Sequence, residues 1–181
     1  ISTPLTGEAD PVYTLLHLRI AGYLRPDHAD ALLMTADVLE ELGQHDLAAE
    51  TYAAFPPEDP TYVTAEVGRA SALRAQGKSD AAIEALQTLA RSHGDLLGVQ
   101  FALADLLRSQ DRFDEAEVAY SAAIELAKAA KSENWVLYFY RGICHEQSKD
   151  WAPAEADFRK ALDLNASQPQ VLNYLGYGLV D

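Results

Sequence analysis

The sequence predicts an all-α protein, a right-handed superhelical solenoid of antiparallel helix pairs with about nine to ten helices. Three observations carry this. Small residues at Ala36, Ala70, Ala104, Gly142 and Gly176 keep phase at spacings of 34, 34, 38 and 34 residues. Between them lie the tracts Ala48-x3-Tyr52, Ala116-x3-Tyr120 and Ala154-x3-Phe158, with Ala82-x3-Leu86 as an aliphatic version. Apolar residues also return every three or four positions, as at Leu32, Ala36 and Leu39, or at Leu103, Leu106 and Leu107, which is the stripe of an amphipathic helix.

Taken in order, Thr14, Leu18, Ala21 and Pro26 match the second helix of a repeat occupying 1–28. Full repeats follow at 29–62, 63–96, 97–134 and 135–168, and 169–181 reads as a first helix without its second. Both ends look cut within a repeat, and the sequence opens on Ile1 without a Met. The expectation is therefore a native chain that is longer on both sides. Gly43, Gly77, Gln110-Asp111 and Lys149-Asp150 break the chain between first and second helices. Asp80, Asp114 and Asp150 fall near second-helix starts, where a carboxylate can cap N–H groups and meet the positive dipole end. Pro153 is tolerable in a first turn. Pro26, Pro56-Pro57 and Gly94 mark repeat junctions, and Pro169 should open a helix. The repeat at 97–134 carries four extra residues around Lys128 to Asn134, close to one helical turn. The helix-forming tract Leu126 to Lys131 predicts an extra turn on that second helix instead of a loop insertion.

The spacing and the Leu172-x2-Leu175-Gly176-x2-Leu179 and Tyr138-x2-Arg141-Gly142…Ala154-x3-Phe158 tracts resemble the tetratricopeptide repeat (TPR) family. Arg69 and Arg141 depart from it where an apolar residue is usual, and Glu66 and Gln100 occupy the bulky first position. The resemblance implies a scaffold or adaptor whose groove, lined by first helices, binds a protein or peptide. On that register the outward first-helix positions are Leu33, Asp37, Glu40; Val67, Ser71, Arg74; Phe101, Asp105, Arg108; Phe139, Ile143, Glu146; and Asn173, Tyr177. Arg74 and Arg108 hold equivalent places and could clamp a carboxylate; the alternative is pairing with Asp105 or other acids. Phe101, Phe139, Tyr140, Tyr174 and Tyr177 offer aromatic contact area for a bound segment, although core packing competes for each ring. The candidate groove set is thus Arg74, Phe101, Asp105, Arg108, Phe139, Tyr140, Asn173, Tyr174 and Tyr177. The family's carboxylate-clamp version uses Lys and Asn; here Leu33, Asp37, Val67 and Ser71 stand in those places, so chaperone-tail binding is not carried over. The Ala-rich, Arg-over-Lys usage and the tract Asn173 to Asp181 look like bacterial TPR proteins, several of which serve envelope assembly or protease delivery.

Composition bounds the partners. Twenty-eight acidic against 14 basic residues give a net charge of −14, a surface that repels nucleic acid and anionic lipid. The most apolar tract, Trp135 to Tyr140, falls well short of the roughly 18 residues a membrane span needs. Compartment is cytoplasm or periplasm on this reading. No catalytic, cofactor or metal site is expected. The five histidines lack partners at ligand spacing, and Lys149 stands where a zinc-protease helix after His145-Glu146 would place its second His. His145 reads as a packing residue and the single Cys144 as a small buried hydrophobe. Gly176-Tyr177-Gly178 lacks the third Gly of a dinucleotide loop, and Asn165-Ala166-Ser167 is a bare sequon. Alternatives to the scaffold are a self-association module acting through exposed repeat ends within a larger bacterial envelope or protease-adaptor assembly, and catalysis housed outside this sequence.

Overall fold

The computed structural model describes residues 10–24 and 29–178. Pro26 lies outside them, as do the side chains of Ala21 and Tyr177. Ten helices and no strand occur among the described residues, and the chain divides into two compact units, Ile1–Ala82 and Ile83–Asp181. The first contains α1 (Pro11–Leu24), α2 (Ala29–Glu41), α3 (His45–Tyr52), α4 (Tyr62–Ala75) and the start of α5 (Ser79–His93). The second contains the rest of α5, then α6 (Leu97–Ser109), α7 (Phe113–Ala129), α8 (Trp135–Gln147), α9 (Trp151–Leu164) and α10 (Pro169–Gly178).

Small residues set how closely the helices pack. In the first unit, Ala36 of α2 and Ala48 of α3 are both fully buried, and they let Leu39, Tyr52 and Phe55 close a core with Ala65 and Ala72 of α4. In the second unit, Ala104, Ala116 and Ala154 are solvent-free, and Leu107, Tyr120, Ile124 and Phe158 are the large side chains buried with them. Gly142 of α8 is a close approach of two helices in this unit. A Cβ built there would lie 2.7 Å from a ring carbon of Phe158 on α9, a separation that real Cβ atoms do not tolerate. Only hydrogen fits.

The four first helices α2, α4, α6 and α8 end the same way. Gly43, Gly77, Asp111 and Lys149 have φ of 71°, 77°, 57° and 63°. In each case the next residue's N–H reaches back five residues, as Lys78 does to Leu73 and Asp150 to His145, both at 2.9 Å. This is the Schellman ending, which satisfies orphan carbonyls but needs one left-handed residue. Glycine enters that region freely, whereas an L side chain does so at a cost of about 1 kcal/mol. Lys149→Gly is therefore expected to stabilise the protein by roughly 0.5–1 kcal/mol, with a smaller gain for Asp111→Gly because Asp tolerates the conformation better. Gly77→Ala should destabilise by about 1 kcal/mol; thermal unfolding of the three variants checks both signs.

Two sequence expectations change. The carboxylates of Asp80, Asp114 and Asp150 do not all cap. Asp150 occupies the N-cap of α9 without a side-chain bond, and Asp114 instead accepts the Ser148 hydroxyl at 2.9 Å. A first-turn carboxylate still meets the helix dipole without forming a bond, which describes Asp80 of α5. Asn134 is a true side-chain cap, accepting the Val136 N–H at 3.0 Å. The four extra residues do not form one helical turn either: α7 has 17 residues against 15 in α5, and the connector 130–134 is longer than 94–96. Lys131 adopts a left-handed φ of 53° and stops α7, so the surplus is shared between helix and connector.

Candidate protein-interaction face

In the first unit the sequence nominates Arg74, in the last turn of α4. It is exposed, and its side chain has no ion-pair partner within 4 Å among the described residues. Its charge is nevertheless felt by Glu40 of α2. Burial raises the Glu40 carboxyl above the usual carboxylate range, while the Tyr52 hydroxyl, His45 and Arg74 pull the other way. Tyr52, itself 2% exposed, donates to Asp37 Oδ1 at 2.6 Å and to Glu40 Oε2 at 3.3 Å.

The other nominated residues lie in the second unit, where a residue from a second helix brings Phe101, Arg108 and Tyr140 together. Tyr120 of α7 is fully buried. Phe101 of α6 stands edge-on to it at 6.1 Å between centroids, and Tyr140 of α8 tilts against it at the same distance. The Arg108 guanidinium lies 4.3 Å from the Tyr140 ring centroid, donates through Nε to the Tyr120 hydroxyl at 3.2 Å, and pairs with Asp105 Oδ1 at 2.6 Å. Burial works against the Arg108 charge, but the bonds to Asp105 and Tyr120 outweigh it and hold the guanidinium above its ordinary value. Burial likewise lifts the Tyr120 hydroxyl, against the pull of Arg108. The charge is therefore fixed. Two of its donors are engaged within the protein, which leaves others for a ligand.

Phe139 corrects an expectation. The repeat register places it outward, yet it is 7% exposed and its ring packs against Trp135, Tyr140, Phe158 and Tyr174 at 5.4–6.1 Å. It lies three residues before Gly142, on the same side of α8. The Phe158 ring that enters over Gly142 draws Phe139 into the same core. Tyr174 of α10 is half-buried, with its ring 5.3 Å from that of Phe158. Asn173 beside it is exposed. The Tyr177 side chain lies outside the described residues.

Two residues that break the repeat pattern prove to have partners. Arg69 makes a two-pronged pair with Glu66, at 2.9 and 2.6 Å, so both departures compensate each other within α4. Arg141 of α8 grips Asp157 of α9 through Nε and Nη2 at 2.8 and 2.7 Å and donates through Nη1 to Ser121 Oγ at 3.0 Å. His145 Nε2 stands 3.7 Å from the same carboxylate. Sequence reasoning passed over Asp157; its one signal was an acid on the inner face of an amphipathic helix. Burial pushes the Cys144 thiol up to about 12, which keeps it protonated and unreactive at neutral pH. Among the described residues no group of three His, Cys, Asp or Glu could hold a metal ion, and no helix is long and apolar enough to cross a membrane.

A family model described as tetratricopeptide repeat matches residues 14–63, 67–130 and 101–169. Tetratricopeptide repeat protein 13 of Homo sapiens is 30% identical over 155 residues, which is 83% of this chain and 17% of that protein; the chain spans only that minor part of its relative. Among solved structures, MamA from Desulfovibrio magneticus RS-1 superposes with a TM-score of 0.72 at 16% identity, over 88% of each chain. YrrB, a TPR protein with an unusual peptide-binding site, gives 0.71 at 15% identity, over 92% of this chain and 84% of its own. At such identities these two likenesses speak to the helical-repeat fold alone.

Proposed function

The chain belongs to the tetratricopeptide repeat family, and from that premise we propose a protein–protein interaction scaffold that takes a peptide or protein segment on the first helices of its repeats. The repeats proposed are 29–62, 63–96, 97–134 and 135–168, with 1–28 supplying a second helix and 169–181 a first. The observation that carries the reading is the platform on α6, α8 and α10. Arg108, held between Asp105, Tyr120 and the face of Tyr140, is ordered before any ligand arrives. Half-buried Phe101 and Tyr174 and exposed Asn173 lie on the same set of helices. Pre-ordered arginine and aromatic groups lose little entropy on binding and are the residue types that dominate interface energy. That YrrB has a peptide-binding site supports the same reading by analogy.

Affinity capture from the source cell's lysate tests it, with the intact chain beside an Arg108→Met/Asn173→Ala variant shown to be folded by circular dichroism. The reading expects a partner that the variant loses by about tenfold or more, the effect of one disrupted hot spot. Equal capture by both would move the site off this face. A second reading, association of two copies, is favoured by α1, where Val12, Tyr13, Leu16, Ile20 and Tyr23 are 50–87% exposed. Light scattering showing a monomer at every working concentration would remove it.

A further inference from the structure

Two helix pairs, α2 with α3 and α6 with α7, build the same three-residue contact from different charges. Tyr52 of α3 is 2% exposed, and its hydroxyl lies 2.6 Å from Asp37 Oδ1 and 3.3 Å from Glu40 Oε2 of α2. Sixty-eight residues further on, Asp105, Arg108 and Tyr120 hold the same three places. There the arginine serves both neighbours, pairing with Asp105 at 2.6 Å and donating to the Tyr120 hydroxyl at 3.2 Å. In the first unit a carboxylate stands where that arginine would be, so two acids face one hydroxyl.

A hydroxyl has one hydrogen to give. Burial and the two carboxylates hold the Tyr52 hydroxyl well above its ordinary value, so it keeps that hydrogen. The shorter contact commits it to Asp37, which leaves the Tyr52 and Glu40 oxygens facing each other as acceptors. Neither carboxylate has an ion-pair partner within 4 Å among the described residues. Burial raises the Glu40 carboxyl above the ordinary range and the Asp37 charge adds to this, outweighing the Tyr52 hydroxyl, His45 and Arg74. Those groups reach Glu40 from α2, α3 and α4. On α1, which also packs on α2, Tyr13, His17, Arg19 and Tyr23 are all exposed. The Tyr52 ring meanwhile lies over Gly68 of α4, where a built Cβ would be 2.5–3.0 Å from three ring carbons. Tyr52 therefore ties α2 to α4, and its hydroxyl acts where three helices meet.

We propose that Asp37, Glu40 and Tyr52 form a proton-operated clasp between α2 and α3. With a proton on Glu40, its carboxyl O–H donates to the Tyr52 oxygen while the Tyr52 O–H donates to Asp37, and each hydrogen is used once. When Glu40 ionises that bond is lost, two carboxylates a helical turn apart repel, and Asp37 alone holds the hydroxyl. The folded protein binds this proton more tightly than the unfolded chain does. The clasp's contribution is therefore whole below the ordinary Glu range and is lost as pH rises through the raised value. The α6–α7 triad has no such dependence, because Arg108 keeps its charge throughout.

The test is thermal unfolding of the whole chain from about pH 8 to about pH 5, beside Glu40→Gln, whose amide can donate to Tyr52 at every pH. The variant is expected to unfold roughly 2–4 °C above the parent at the upper pH, with the gap closing as pH falls. Glu40→Arg, which copies Arg108, should likewise lose the pH dependence that this site gives the parent. Glu50→Gln, at an exposed site of α3, controls for charge alone and should open no such gap. In a Tyr52→Phe background, which removes the hydroxyl and leaves Glu40 in place, the pH-dependent part of the gap should fall by about half or more. The proposal is overturned if the gap between parent and Glu40→Gln does not change with pH, if Glu50→Gln opens the same gap, or if Tyr52→Phe leaves it unchanged.

Discussion

Asp157→Ala is expected to cost about 3 kcal/mol of stability, the lower end of what removing one partner from a buried ion pair does. Asp157 is 4% exposed, and its carboxylate takes two bonds from Arg141 while lying 3.7 Å from His145. Without it the guanidinium keeps the Ser121 hydroxyl and a distant Tyr138 ring at 5.9 Å, and stays largely enclosed. Arg141 retains 21% side-chain exposure, so water offsets part of the loss and the estimate stays at the low end. In thermal unfolding this corresponds to roughly 6–12 °C for a chain of this size. Arg141→Met/Asp157→Leu, which removes both charges and keeps apolar volume, should recover most of the loss. A single variant within about 0.5 kcal/mol of the parent would mean that the pair behaves like an exposed one.

Gly142→Val should be about as damaging, near 3 kcal/mol, at the upper end of overpacking costs. The Phe158 ring has no room to retreat from a Cβ at 2.7 Å. It is fully buried and held by Phe139, Trp151 and Tyr174 at centroid distances of 6.1, 6.3 and 5.3 Å. Gly142→Ala should be milder, because alanine recovers about 1 kcal/mol of helix propensity against the same clash. Combining Gly142→Val with Phe158→Leu should restore part of the stability by shrinking the opposing side chain. Chemical denaturation of the single and double variants measures the coupling.

What the sequence made legible follows from what repeats must do. A helix pair can close only over small residues, so Ala36, Ala104 and Gly142 keep the repeat phase, and the turns after α2, α4, α6 and α8 each use a left-handed residue. Both constraints act locally, which is why the helices and their turns could be placed. The Arg141–Asp157 pair was not legible, because it joins residues 16 apart on two helices and neither position shows it alone. The outward placement of Phe139 failed for a similar reason. A repeat register assigns direction by position, whereas the ring goes where Gly142 admits Phe158. Arg108 was nominated from its place in the repeat, but its hold by Tyr120 required knowing that a second-helix hydroxyl reaches it.

The scaffold reading makes one direct claim, that a partner contacts first helices and not second helices. Photo-crosslinking in the source cells tests it, with benzoylphenylalanine placed at Asn173 on α10 or at Val118 on α7, both exposed in the second unit. An adduct with a partner protein is expected from position 173 and none from position 118. Adducts from 118 with none from 173 would contradict it and place binding on the second helices.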